Sequence, residues 1–424
     1  MAAGDGSRER LSHAGRRNDT VAIAGAWKRT AAAAAGLALL GASLLSAPAA
    51  KAADAADAPR PPATSAKAAA LIDVESGRLL YSSESADEPM RIASLTKIMT
   101  AITAIEEGDL ESMVTVGQRA VGKEGSSIYL KLGEKMKLKD MLYGLMLRSG
   151  NDAATAIAEH VGGSEEGFVK MMNDKAAWIG LERSTFMNPH GLDQEGHLST
   201  ANDLAKLTAY ALKNPVFADI VGTKVHKAPN PFDSWDYSWA NKNKMLALYE
   251  GADGVKTGYT KTALRCLVSS ATRDGQQLAV VTLNDRDDWR DHASMLDWGF
   301  EHYRLKTLAA KGERLKGYPL ASGRQLRYPL AEGEDAGLSN RLVLLSPEKD
   351  ALAYSLGERG RLEWTLDGRP IGAVPIYEAG SSRIGQPDRA TASFRPGGMF
   401  PSRPASLGAA LSRSLKALFA AGGE

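Results

Sequence analysis

Cysteine is almost missing from this chain: 424 residues hold one, Cys266. A lone thiol excludes an intramolecular disulfide framework, so a packed core must hold the fold. Cys266 lies in the apolar run Cys266-Leu267-Val268 and reads as a small buried hydrophobe. Histidine is scarce, with seven, and none falls in His-Glu-x-x-His or a comparable ligand spacing. That argues against a zinc hydrolase, and no metal or other cofactor is expected. Charge of one sign is not in excess: 52 basic side chains face 50 acidic ones. No global field draws the protein to nucleic acid, which is not expected as a partner. Internal repeats are missing too. No long apolar run is present either, because the stretch from Ala31 to Leu45 is short and alanine-rich. It is a poor permanent membrane span, which needs about 20 residues. What remains is a globular composition, 44% apolar and 24% charged, long enough for about two to three domains.

The ends read as targeting segments. Arg8, Arg10, Arg16, Arg17, Lys28 and Arg29 precede the apolar stretch, and Ala50-Lys51-Ala52 has the form of a signal peptidase site. Residues 1–52 are therefore expected to be a signal peptide. Arg16-Arg17 lacks the apolar context of a twin-arginine signal, so the general secretory route is expected. Residues 53–66, rich in Ala, Pro and Asp, read as a linker. At the other end, residues 391–424 read as a linker and an amphipathic membrane-anchor helix. Leu407, Leu411, Leu415, Leu418 and Phe419 form one stripe, with Ser412, Arg413 and Lys416 on other faces. The expected partner is a membrane surface, and the expected location is the outer face of the cytoplasmic membrane, in the cell-wall space.

Between the ends, patterning gives two regions. Ala69 to Val74 and Arg78 to Tyr81 flank Glu75-Ser76-Gly77, a hairpin pattern. Ile98, Ile102 and Ile105 have helical spacing and predict one buried face. Met141 to Val161 is helical again, interrupted at Ser149-Gly150-Asn151. Arg265–Thr272 and Gln277–Leu283 flank Asp274-Gly275, a strong hairpin signal. Met295 to Phe300 reads as the last helix. From about Lys306 to Arg389, short apolar segments separated by Gly, Pro and Asp predict a small all-β domain.

Three short motifs carry chemistry. Ser94-Leu95-Thr96-Lys97 is S-x-x-K; at a helix start, residues three apart share a face, so hydroxyl and amine can meet. A serine hydroxyl needs a neighbour to take its proton, and a lysine can do so when burial and nearby cations lower its pKa. Ser149-Gly150-Asn151 follows about 50 residues later; Ser149 could relay a proton and Asn151 could bind a substrate amide. Lys256-Thr257-Gly258 supplies a strand edge, a cation, a hydroxyl for a carboxylate and a glycine that admits a close ligand. Each tripeptide alone is commonplace, and it is their order and spacing together that are specific.

From about Ala68 to Tyr303 the chain resembles the serine D-alanyl-D-alanine carboxypeptidases, the low-molecular-mass penicillin-binding proteins. The likeness includes Asn188-Pro189-His190-Gly191-Leu192, Asp253 to Thr260 and Asp297-Trp298-Gly299-Phe300. It implies an α/β (α+β) penicillin-binding, β-lactamase-like transpeptidase domain over residues 67–305. A C-terminal β-sandwich domain over 306–390 would follow. The implied activity is removal of the terminal D-alanine from peptidoglycan pentapeptide stems. Ser94 would be the nucleophile, Lys97 the base, and the backbone N–H groups of Ser94 and Tyr259 the oxyanion hole. β-Lactams would acylate Ser94. Thr257, Gly258 and Tyr259 would line the substrate.

Tyr259 stands where some members have His. The arginine that some members place beyond the hairpin falls by spacing at Asp291, leaving its neighbour Arg290 as a candidate. Asn241-Lys242-Asn243 resembles a family Asn-Arg-Asn segment, which makes Lys242 the better carboxylate contact. His190 reads as part of a rigid loop. No Glu-x-x-Leu-Asn segment is present to supply the deacylating carboxylate of a β-lactamase. A non-catalytic wall-binding protein would have lost Ser94 or Lys97. The alternative retained is a DD-endopeptidase of peptidoglycan crosslinks.

Overall fold

The computed structural model describes residues 60–385. The expected signal peptide, most of the first linker and the expected anchor helix lie outside the described residues. Strands β1 (Ala68–Asp73) and β2 (Leu79–Ser82) open the fold as a hairpin. A short 3-10 turn, Ala93–Leu95, runs into helix α1 (Thr96–Glu107). A small hairpin, β3 (Met113–Thr115) with β4 (Lys135–Lys137), precedes α2 (Leu138–Arg148), α3 (Asn151–Gly162) and α4 (Glu165–Ile179). Helices α5 (Ala201–Leu212) and α6 (Pro215–Gly222) follow, then the hairpin β5 (Val225–Ala228) and β6 (Tyr237–Ala240) and the short α7 (Met245–Leu248). The chain then enters β7 (Ala252–Thr260), β8 (Leu264–Arg273), β9 (Gln276–Leu283) and α8 (Asp288–His302).

The main sheet is antiparallel, in the order β2-β1-β9-β8-β7. Its two faces are both covered, which is why β1 reads as a continuous apolar run rather than an alternating one. Ala68, Ala70 and Ile72 face the large helical core with α1, α2 and α3. Ala69 and Leu71 face a second core shared with Met295, Leu296 and Trp298 of α8. The β8–β9 turn has Asp274 and Gly275 at φ 51° and 76°, the paired positive values that match the twist of a two-residue hairpin. This topology leaves β7 as an edge strand, the place where an extended ligand can be added to a sheet.

Helix α1 departs from expectation. It is buried from Thr96 through Ile105, not along one isoleucine face. The isoleucine spacing understated this, because alanine and threonine complete the buried surface. The threonine hydroxyls are satisfied inside: Thr96 donates to Ala93 O at 2.9 Å and Thr100 to Pro189 O at 2.6 Å.

At Arg304 the chain passes into strands. β10 (Arg304–Ala309) pairs with β12 (Leu326–Leu330), and β11 (Leu320–Ser322), β13 (Leu338–Leu344), β14 (Glu358–Leu366) and β15 (Arg369–Glu378) form a sheet in the order β11-β15-β14-β13. The two sheets share a core: Leu308, Tyr328 and Leu330 of the first pack with Leu366 and Ile371 of the second. That is a small sandwich. It touches the β1–β2 hairpin, where Arg78 donates to Pro329 O at 2.7 Å and Arg327 pairs with Glu75. Among the described residues, no helix is long and apolar enough to cross a membrane.

Candidate active site

Three separate stretches converge at the N-terminus of α1. The 3-10 turn presents Ser94, and Lys97 follows one turn later inside the helix. The α2–α3 break supplies the second stretch. Ser149 closes α2 in the left-handed region (φ 64°), Gly150 is extended, and Asn151 begins α3. That abrupt reversal leaves Ser149 and Asn151 buried at the inner end of both helices. The third stretch is β7, packed along the Ser94 turn. A Cβ built on Gly258 would lie 3.2 Å from Ile92 O and 3.3 Å from Ser94 N. Glycine therefore lets the strand edge lie against the backbone N–H of Ser94.

Lys97 is the hub. Its Nζ lies 3.0 Å from Ser94 Oγ, 2.7 Å from Asn151 Oδ1 and 2.6 Å from His190 O. The side chain is wholly buried, and its pKa is held well below the usual lysine range. Desolvation is the main cause, followed by the positive charges of Lys256 and Lys242. A neutral amine has two hydrogens and one lone pair. The carbonyls of Asn151 and His190 can only accept, so they take both hydrogens, and the lone pair is left facing the Ser94 hydroxyl. The Asn151 amide is oriented by its other end, since Nδ2 donates to Glu124 O at 2.5 Å. The array is that of a nucleophile beside an aligned base.

Two further cations flank this hub. Lys256, 2% exposed, donates to Thr257 O at 2.8 Å, and burial together with Lys242 pushes its pKa down to about 7. Lys242 sits at the rim, donating to Ser126 Oγ at 3.1 Å, and burial lowers its pKa too. Its neighbours fix it there: Asn243 Nδ2 donates to Gly254 O at 2.7 Å and Asn241 Nδ2 to Thr223 O at 3.0 Å. Thr257 and Gly258 are half-buried along β7, while Tyr259 is 64% exposed.

The structure thus brings together Ser94, Lys97, Asn151, Lys256, Lys242 and Gly258, with Ser149 next to Asn151 at the helix break and Thr257 and Tyr259 on either side of Gly258 along β7. Arg290 does not join them. It starts α8, which covers the opposite face of the sheet, and its exposed guanidinium pairs with Asp287 at 3.3 Å. Counting along the sequence put it near Asp291, but Asp291 is buried and accepts from Ser65 N at 2.6 Å. Sequence reasoning also missed the backbone contributions. The His190 carbonyl bears on Lys97, and the 124–126 loop clamps Asn151, with Asn151 N donating to Ser126 O at 2.7 Å. No side-chain motif announces a carbonyl.

Comparison with known proteins gives the family. The family model described as D-alanyl-D-alanine carboxypeptidase matches residues 55–287. The D-alanyl-D-alanine carboxypeptidase DacF of Bacillus subtilis (strain 168) is 33% identical over 357 residues, covering 80% of this chain and 91% of its own. DacC of Escherichia coli (strain K12), also a D-alanyl-D-alanine carboxypeptidase, is 37% identical over 337 residues, covering 73% and 82%. Among solved structures, penicillin binding protein 5 from Haemophilus influenzae superimposes with a TM-score of 0.62 at 26% identity, covering 76% of this chain and 98% of that one.

Proposed function

The chain belongs to the serine D-alanyl-D-alanine carboxypeptidase family, and we propose that it removes the terminal D-alanine of peptidoglycan pentapeptide stems through an acyl-Ser94 intermediate. The observation that carries this reading is the buried Lys97 amine 3.0 Å from Ser94 Oγ, its pKa held well below the usual lysine range by burial and the neighbouring charges of Lys256 and Lys242. The Ser94 proton passes to Lys97 Nζ as Oγ bonds the carbonyl carbon between the two D-alanines. The carbonyl oxygen becomes an oxyanion, held by the backbone N–H groups of Ser94 and Tyr259. The C–N bond then breaks, and the leaving amine takes the Lys97 proton through the Ser149 hydroxyl. Free D-alanine departs, and water hydrolyses the acyl-enzyme by the reverse use of Lys97.

The remaining residues bind. Asn151 holds the amide of the penultimate residue. Lys256, Thr257 and Lys242 receive the terminal carboxylate, with the stem lying along β7 past Gly258 and Tyr259 as an added strand. A β-lactam occupies the same place and leaves a slowly hydrolysed ester on Ser94. The endopeptidase alternative gains no observation of its own. The test is labelling with a fluorescent penicillin and D-alanine release from a pentapeptide, for wild type and Ser94→Ala. Loss of both in the variant is expected, by roughly 10⁴-fold or more. Covalent labelling that survives the substitution would place the nucleophile elsewhere.

We further propose that the protein works outside the cell, on the outer face of the cytoplasmic membrane, in wall biogenesis. The basic and apolar N-terminal segment with Ala50-Lys51-Ala52, and the amphipathic stripe from Leu407 to Phe419, support this reading. Flotation with anionic liposomes, with and without residues 405–424, tests the anchor. Salt-sensitive binding that needs the segment is expected, and equal partitioning of both forms would refute it.

A further inference from the structure

Glu165 has no place in the chemistry above, yet it is buried directly behind it. It opens α4, where the Ser164 hydroxyl accepts from Gly167 N at 3.0 Å and fixes the turn. Its side chain is 11% exposed, and a carboxylate hidden to that degree needs partners. One oxygen, Oε1, faces His190 Nε2 at 3.6 Å. The other, Oε2, meets Lys123 Nζ at 3.4 Å and Arg119 Nη2 at 3.6 Å. His190 Nδ1 accepts from Leu192 N at 3.2 Å, so the neutral ring carries its proton on Nε2, toward Glu165.

The two arms lead to the two loops that hold Lys97. On one side His190 offers its carbonyl to Lys97 at 2.6 Å. On the other, Lys123 precedes Glu124, whose carbonyl accepts Asn151 Nδ2 at 2.5 Å, and Asn151 Oδ1 accepts from Lys97 at 2.7 Å. One carboxylate therefore spans the supports of both acceptors that fix the lysine lone pair. We propose that Glu165 is a positioning residue for the Lys97 base, setting the separation of the His190 carbonyl and the Asn151 amide. This rests on the reading of Lys97 as base to Ser94. Glu165 touches neither substrate nor the reacting atoms. Its role is the direction in which the amine points.

The experiment measures penicillin acylation rates for wild type, Glu165→Ala, Glu165→Gln, Lys123→Met and the double variant Glu165→Gln with Lys123→Met. Each thermal midpoint is measured alongside. Glu166→Gln, an exposed neighbour on Arg119, serves as the charge control. Misplacing a base by about 1 Å costs on the order of 10²-fold, so Glu165→Ala should acylate about 10- to 100-fold more slowly. The pentapeptide KM should stay within about threefold, and Glu166→Gln should behave as wild type. Gln keeps the length of Glu and loses its charge, so it folds most readily and decides the matter if Ala does not. Because Lys123 acts through Glu165, the double variant should be no slower than its slower parent within about twofold. Wild-type rates in both Glu165 variants, or losses that multiply in the double variant, would overturn the positioning role. Failure of wild type itself to be labelled would instead overturn the reading of Ser94 and Lys97, and the proposal with it.

Discussion

Lys97 and Lys256 are both buried, 0% and 2% exposed, and the Lys256 charge lowers the cost of Lys97 losing its proton. Two buried ammonium groups side by side would repel, so the pair holds one proton at most at neutral pH. Burial and the charges of Lys256 and Lys242 hold the Lys97 pKa well below the usual lysine range, while burial and Lys242 push Lys256 down to about 7. A proton on Lys256 thus favours a neutral Lys97, the division of labour that a base and a carboxylate anchor require.

The pH dependence follows with a definite sign. Lowering pH through the depressed Lys97 value protonates the base, so kcat/KM falls on the acid side. Raising pH past about 7 removes the Lys256 charge from the free enzyme, so kcat/KM falls there as well. A bound carboxylate favours charged Lys256, so the alkaline limb of kcat should lie at higher pH than that of kcat/KM. Steady-state profiles with a pentapeptide check this. A kcat/KM flat from about pH 5 to about pH 9 would remove the lysine-base argument.

Asn151 tests how far alignment matters. Its amide joins Lys97 at 2.7 Å to Glu124 O at 2.5 Å. Asn151→Ala frees one hydrogen of the amine and removes a substrate contact. Acylation should drop by roughly 10²- to 10³-fold, the scale of losing one preorganised polar group. Stopped-flow acylation with a reporter β-lactam measures it. A loss below about tenfold would show that the His190 carbonyl alone orients Lys97.

Much of this was legible in the chain because the chemistry sits in short local patterns. Ser94 and Lys97 are one helical turn apart, Ser149 and Asn151 flank a Gly break, and Lys256 to Tyr259 form a strand edge. The β8–β9 hairpin was legible for the same reason, through Asp274-Gly275. Contacts across long sequence separation were not. Glu165 meets His190 only because α4 and the 188–192 loop pack together, and nothing near either residue signals it. Arg290 failed because counting residues says nothing about which sheet face a helix covers. The full burial of α1 was hidden because Ala and Thr contribute no apolar periodicity.

Arg78 and Glu334 predict how the two domains depend on each other. Two hydrogen bonds of 2.7 and 2.5 Å join them, with Arg78 stacked over Tyr303 and Tyr328 at 5.3 Å. Glu334→Ala would leave a mostly buried guanidinium with only the Pro329 carbonyl and the two rings as partners, costing about 1–3 kcal/mol. Stability to urea should fall by that amount while kcat holds, since the pair lies on the β1–β2 hairpin and outside the Lys97 cluster. A large loss of kcat at unchanged stability would mean that the sandwich domain controls the site.

Gly191 offers the sharpest separation of backbone strain from site geometry. Its φ is 82°, and a Cβ there would fall 2.0 Å from Ala93 O and 2.9 Å from Thr96 Oγ1. Gly196 has a similar φ of 77°, but its nearest neighbour would be 3.9 Å away. Alanine at either position bears the left-handed penalty of about 1–2 kcal/mol. Only at Gly191 must the Ala93 carbonyl also retreat, and Ala93 immediately precedes Ser94. Gly196→Ala should therefore lose stability and keep its acylation rate. Gly191→Ala should lose more stability and acylate at least about 10-fold more slowly well below its melting temperature. Equal acylation by the two variants would show that the Ser94 turn does not depend on the close seating of the 188–192 loop.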